Sequence, residues 1–151
     1  MNITRRSALG LGAGVFAFAL TGMKVQLANA SAEKTDAAIK AFTGGAEMMS
    51  GGVNLTTPEI AENGNTVPIG VSVDSPMSAD DYVESVAIYA AGNPNPEVVT
   101  FNFTPASGVA EAKTRIRLAG TQDVVAVAKM STGKFVMAKN QVKVTIGGCG
   151  G

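Results

Sequence analysis

The sequence predicts an all-β fold, an immunoglobulin-like antiparallel β-sandwich with a short N-terminal helix and a flexible glycine-rich C-terminal arm. Three observations carry this. Val67, Ile69, Val71 and Val73 are apolar at every second position, the period of a strand with one buried face. Similar short runs recur down the chain, separated by Gly, Pro and Asn clusters, which is the spacing of a sandwich of seven or eight strands. The chain then ends in Gly147-Gly148-Cys149-Gly150-Gly151, a stretch with nothing bulky to bury. The internal disulfide and core tryptophan of antibody domains are absent, because the chain has one cysteine and no tryptophan.

Taken in order, residues 1–30 read as an export signal that is removed. Arg5-Arg6 precedes an apolar stretch from Ala8 to Leu20, and Ala28-Asn29-Ala30 is a small-x-small cleavage site. The stretch is short for a bilayer span. Thr4-Arg5-Arg6-Ser7-Ala8-Leu9 resembles a twin-arginine signal, with Ala8 where a phenylalanine is frequent. The expected location is therefore the periplasm, and the expected mature protein is Ser31–Gly151, long enough for one domain with its own core. No other apolar stretch suggests a membrane span.

A helix is expected first, with Ser31 and Thr35 as candidate N-caps, Ile39 and Phe42 on one face, and Gly44-Gly45 at its end. Glu47–Gly52 reads as a loop with room for a helical turn. Strand character starts at Val53. Pro68 restricts the Val67–Val73 strand to an edge position or places the proline among its first residues. Val86, Ile88 and Ala90 form the next run, and Asn93-Pro94-Asn95-Pro96 is a turn. Val99, Phe101 and Phe103 follow. Ala112, Thr114, Ile116 and Leu118 then point inward, with Lys113, Arg115 and Arg117 outward. Asp123–Met130 is apolar on both faces and reads as a central strand. Gly133 turns the chain into Phe135–Ala138, and Asn140-Gln141 separates that run from a last strand with Val142, Val144 and Ile146 inward. The sandwich domain is thus expected over 31–146 and the arm over 147–151.

Composition excludes several chemistries. With no histidine and one cysteine, the chain alone cannot assemble a blue-copper or structural zinc site, and it has no Cys-His pair to activate a nucleophile. Asp80, Asp81 and Glu84 could approach a cation but read better as a solvated turn. Met48-Met49 offers too few soft ligands for Cu(I). No cofactor, metal or catalytic residue is expected, and the chain does not read as an enzyme. All twelve acidic residues precede Val124, and residues 124–151 carry only Lys129, Lys134, Lys139 and Lys143. The mature segment is slightly acidic overall, which excludes nucleic acid as a partner. The basic end could favour anionic cargo at the tail or be an ordinary solvated face.

Attention then falls on Cys149. Glycine is a poor residue for ordering a chain, so Gly147, Gly148, Gly150 and Gly151 suggest a thiol on a mobile arm. Extended, the five residues past Ile146 reach roughly 16–18 Å. No basic side chain lies nearer in sequence than Lys143, and the Gly151 carboxylate opposes ionisation, so the thiol should titrate near its reference value of about 8.5. Such a thiol is a handle for other active sites. A structural sandwich that forms an intermolecular disulfide through Cys149 fits the same chemistry. A thiol-dependent reductase or peroxidase would need the base and resolving cysteine that are missing.

The ending Val142-Lys-Val-Thr-Ile-Gly-Gly-Cys-Gly-Gly151 resembles that of the SoxY family, the sulfur-carrier subunits of the bacterial thiosulfate-oxidising complex. The leader agrees, as does Pro58-Glu-Ile-Ala-Glu-Asn-Gly-Asn-Thr-Val-Pro-Ile-Gly-Val-Ser-Val-Asp-Ser-Pro76. The resemblance implies a heterodimer with a SoxZ-like β-sandwich subunit and covalent attachment of pathway intermediates to Cys149. It further implies a SoxAX-like haem cytochrome that joins thiosulfate to the thiol and a SoxB-like hydrolase that releases sulfate. Where present, a sulfane dehydrogenase would oxidise the remaining outer sulfur.

Overall fold

The computed structural model describes residues 31–148. The leader expected over 1–30 and residues Cys149, Gly150 and Gly151 lie outside the described residues.

Helix α1 (31–43) is built from alanine and long charged residues, good helix formers. Thr35, Ile39 and Thr43 are buried, with Ala38 and Phe42 partly so, which is the stripe of a helix lying on a core. Thr35 is inside the helix rather than at its cap, its hydroxyl donating back to the Ser31 carbonyl at 2.9 Å. Gly44 and Gly45 adopt φ of 64° and 82°, and Gly45 N–H bonds to Lys40 O at 3.2 Å, closing the helix by a left-handed turn.

Among the described residues nine strands follow: β1 (Met48–Ser50), β2 (Val53–Thr56), β3 (Ile60–Asn63), β4 (Val67–Val73), β5 (Val83–Ala90), β6 (Glu97–Asn102), β7 (Ala110–Ile116), β8 (Gln122–Met130) and β9 (Phe135–Ile146). The larger sheet runs β1-β9-β8-β5-β6, with β3 also on β9, and the smaller runs β2-β4-β7. The all-β sandwich of the sequence is present, with three corrections. Met48–Ser50 is a strand and not a loop, recruited by parallel pairing onto Phe135–Met137. β3 also pairs with β9 in parallel, so the larger sheet is mixed. Finally, β9 is one strand of twelve residues, running straight through Asn140-Gln141, and of its three expected inward residues Val142 is buried and Val144 partly so while Ile146 is 66% exposed. Asn140 can sit there because its amide donates to Leu55 O at 2.7 Å and Thr57 Oγ1 at 3.2 Å across the sandwich.

Pro68 occupies the second residue of β4, the central strand of the smaller sheet, with its ring exposed. Of the two placements open to it, that near the strand start holds. β8 is central, paired on both edges, and buried on both faces. Val124, Ala126 and Ala128 meet the inter-sheet core with Val86, Ile88, Val67, Ile69 and Val71. Val125 and Val127 face the other way, toward Ile39 of α1 with Ala87, Tyr89 and Phe135. Phe42 closes that second layer edge-on to Phe135, with ring centroids 6.0 Å apart.

Candidate functional site: the root of the C-terminal tail

Asn63, at the end of β3, starts a tight turn in which its side-chain oxygen accepts from Asn65 N–H at 2.9 Å. The turn points Gly64 at two other segments. Gly64 N–H donates to Ile146 O at 2.8 Å, Leu118 N–H donates to Gly64 O at 2.7 Å, and Gly148 N–H donates to Leu118 O at 2.9 Å. Three chain segments that are distant in sequence are thereby joined backbone to backbone, with the last two described residues inside the join.

The steric fit explains the glycines. A Cβ on Gly64 would collide with Leu118 O and lie 2.6 Å from Gly148 N, and one on Gly147 would collide with Ala119 O. At Gly148 it would lie 2.8 Å from Gly64 O. None of the three has a positive φ. Glycine is demanded here by close backbone approach, not by conformational freedom. Gly147 and Gly148, expected from sequence to be the hinge of the arm, are packed against the sandwich in this structure. Gly150 and Gly151, the other two arm glycines, lie outside the described residues, as does the thiol of Cys149.

The segment that receives the tail is itself braced from beneath. Asn93, 2 % exposed, donates through Nδ2 to Arg117 O at 2.9 Å and accepts from Ala119 N–H at 2.9 Å. Gln122, also buried, donates to the same Asn93 oxygen at 2.9 Å and accepts from Gly92 N–H at 2.7 Å. The Leu118 side chain is fully buried in the inter-sheet core. Thr121 Oγ1 accepts from Val144 N–H at 3.0 Å, tying the end of β9 to the same loop. From sequence Asn93 reads only as part of a turn, and nothing local marks Gln122 as its partner. The Asn63-Gly64-Asn65 turn signal was the available clue to Gly64.

Electrostatics around the basic end are mild. Lys129 pairs with Glu84 at 2.7 Å and Lys139 with Asp123 at 3.2 Å, both at the surface. Half of the C-terminal lysines thus have acidic partners contributed by earlier strands. Asp80 and Asp81 belong to a turn closed by Ser78, whose hydroxyl accepts from Asp81 N–H at 3.1 Å. Met48 packs into the helix-side layer while Met49 is exposed on the opposite face of β1, so the two sulfurs do not converge. Among the described residues there is no group of three or more His, Cys, Asp or Glu side chains able to hold a metal. Two surface depressions, of about 810 and 590 Å³, lie on the smaller sheet and beside α1, and neither is lined by Gly147 or Gly148.

The family described as "Sulfur oxidation protein SoxY" matches residues 39–149. The structure of the sulfur carrier protein SoxY from Chlorobium limicola f thiosulfatophilum superposes with a TM-score of 0.64 at 33% identity, covering 76% of this chain and 94% of that one. A superoxide reductase (neelaredoxin) from Ignicoccus hospitalis matches with a TM-score of 0.56 at 19% identity, over 62% of this chain and 80% of that one. The superoxide reductase from Nanoarchaeum equitans gives 0.53 at 11%, over 63% and 99%. These last two likenesses reflect the fold alone. No curated protein sequence gives a significant match. With a family match spanning most of its length and a solved relative one-third identical, the chain belongs to the SoxY family of sulfur oxidation proteins.

Proposed function

We propose that this chain is a periplasmic carrier, not an enzyme, that holds thiosulfate-derived sulfur covalently on Cys149 and presents it to partner enzymes. The observation that carries the reading is that the family match runs through the whole sandwich and ends on Cys149 itself. A brace of backbone hydrogen bonds directly before that residue supports it. In the first step the thiol loses its proton, and two electrons pass one at a time to a SoxAX-like haem cytochrome, which serves as the oxidant. A sulfur–sulfur bond to thiosulfate forms, giving a cysteine S-thiosulfonate. Water then cleaves the terminal sulfonate group as sulfate at a SoxB-like hydrolase, leaving a persulfide. Where a sulfane dehydrogenase is present, it withdraws further electrons from the outer sulfur as water supplies the oxygens, and a second hydrolysis restores the thiol. A SoxZ-like sandwich subunit is the expected companion of the chain. Export by the twin-arginine route, with Ser31 as the first mature residue, would bring the carrier to that compartment folded.

Intact mass of the protein recovered from the periplasmic fraction of thiosulfate-grown cells tests this. The expected species begins at Ser31 and carries sulfur or thiosulfonate increments that are absent from a Cys149→Ser variant. In a reconstituted system that variant should lose thiosulfate-dependent oxidation. Unmodified protein joined only as a disulfide dimer, or a Cys149→Ser variant that still supports oxidation, would overturn the carrier reading.

A further inference from the structure

We infer that the outer face of the smaller sheet is a docking surface for an acidic loop of a visiting enzyme, which packs over Gly70 and sets its carboxylates against Arg115 and Arg117. This deepens the carrier reading above and rests on it.

Gly70 stands in the middle of β4, the central strand of that sheet, between Thr56 of β2 and Lys113 of β7. Glycine weakens a strand interior, because it gives up much backbone freedom on folding and has no side chain to pack. Where a fold requires it, a positive φ or a steric clash shows why. Neither holds here. Gly70 has no positive φ, and a Cβ would lie 3.5 Å from Lys113 Cγ and 3.6 Å from Thr56 Cβ, ordinary contact distances. The space left open is part of the depression of about 810 Å³, with exposed Pro68 and half-buried Pro58 also lining it. A strand glycine that its own fold does not require marks a place where another chain approaches closely.

Charge on the same face identifies what approaches. Glu111, Lys113 and Arg115 point outward from β7, and exposed Arg117 continues the row one residue past the strand. Arg115 and Arg117 are the only arginines after Arg6. Glu111 is taken by Lys113 at 2.8 Å, and among the described residues neither arginine has an acidic partner. Two unpaired guanidinium groups offer the planar donor fork that matches carboxylates.

Polarity selects the kind of visit. A permanent subunit interface resembles a core cut in half, whereas this depression is lined largely by threonine, proline, lysine and arginine. A carrier must leave each enzyme after its turn. Charge pairs at a polar surface speed encounter and weaken with salt, which suits short visits.

Surface plasmon resonance tests this with the mature chain bound to its companion subunit. The purified haem cytochrome, hydrolase and sulfane dehydrogenase are the analytes, at about 0.05 and about 0.3 M NaCl. Gly70→Thr fills the depression with a strand-favouring side chain, Arg115→Glu/Arg117→Glu reverses the row, and Lys34→Glu changes an exposed charge on α1. For at least one enzyme, Gly70→Thr should raise the dissociation rate about tenfold or more, while its urea midpoint is unchanged or higher. The arginine variant should lower the association rate about tenfold at low salt and by much less at high salt. Lys34→Glu should match the wild type. Arg115→Lys keeps the charge and adds a reactive amine, so carbodiimide should couple position 115 to an Asp or Glu of that enzyme. The docking surface is overturned if Gly70→Thr and the arginine variant bind every enzyme like the wild type. It is equally overturned if Gly70→Thr loses stability along with binding, or if the variants lose their companion subunit. Self-association that vanishes in the variants would assign the face to a second copy. Calorimetric binding of thiosulfate that needs the arginines, with enzyme binding unchanged, would make it a small-anion site. Either result also overturns the proposal. Failure of the carrier reading shows separately, as thiosulfate oxidation that survives Cys149→Ser, and the binding rates still judge the face.

Discussion

Asn93 shows how one side chain can shape a distant backbone. Its amide oxygen serves two donors and its amide nitrogen one carbonyl, all within a site that is almost wholly closed to solvent. Replacing it with alanine leaves Ala119 N–H, Arg117 O and part of the Gln122 amide unpaired. Each buried unsatisfied group costs about 1–3 kcal/mol, with partial relief from relaxation, so Asn93→Ala should destabilise by about 2–4 kcal/mol in urea unfolding. A loss below about 0.5 kcal/mol would show that solvent reaches the loop and that Asn93 does not brace it. None of this was legible in the sequence. Asn93-Pro94-Asn95-Pro96 announces a turn through its prolines, but the partner of a buried asparagine lies 24 to 29 residues away and leaves no local pattern. The same holds for Gly64, whose neighbours come from the loop after β7 and from the end of β9 with the residues that follow it. Cys149, by contrast, could be singled out at once, because its uniqueness and its glycine flanks are properties of the sequence itself.

At the scale of elements, the strands with clean alternation were legible and those defined by their partners were not. β4, β5, β7 and β8 follow from side-chain periodicity, since each has a buried face fixed by its own residues. β1 and β3 are only three and four residues long and largely exposed. They exist because β9 offers an edge to pair with, which is tertiary information. The continuity of β9 also depends on a tertiary contact, the bonds from the Asn140 amide to Leu55 and Thr57. Those bonds link the larger sheet to the β2 edge of the smaller one. Asn140→Val should keep or improve the strand, as valine favours the pleated conformation, but break the link between sheets. A typical hydrogen bond contributes about 1 kcal/mol net, and the site is only partly buried. The urea midpoint should therefore fall by an amount equivalent to about 1 kcal/mol with an unchanged m-value. A variant as stable as the wild type would show that the strand passes Asn140 on propensity and packing alone.

For the molecule as a whole, the decisive feature is that the larger sheet has apolar layers on both faces while the smaller is covered on one. The sequence showed this in the two-sided apolar run of β8, and α1 supplies the second cover. Tyr89 lies in that second layer, 2 % exposed, directly opposite Glu97 in the pairing of β5 with β6. Burial, and secondarily the Glu97 charge, push its phenol from the ordinary 10.0 up to about 12. Both causes penalise the phenolate, so the folded state holds its proton where the unfolded chain has released it. The stabilisation is complete below pH 10 and is lost as pH climbs from about 10 toward 12. Tyr89→Phe cannot ionise, so its unfolding free energy should lack this component of the alkaline decline. The two proteins should differ by a constant offset at pH 7 to 9, and the wild type should lose ground to the variant above pH 10. Glu97→Gln should keep most of the decline, because burial is the larger cause. Urea unfolding at pH 8, 10 and 11 makes the comparison. Parallel pH profiles for the wild type and Tyr89→Phe would mean that solvent reaches the phenol in solution, and that α1 does not seal the outer face of the sheet.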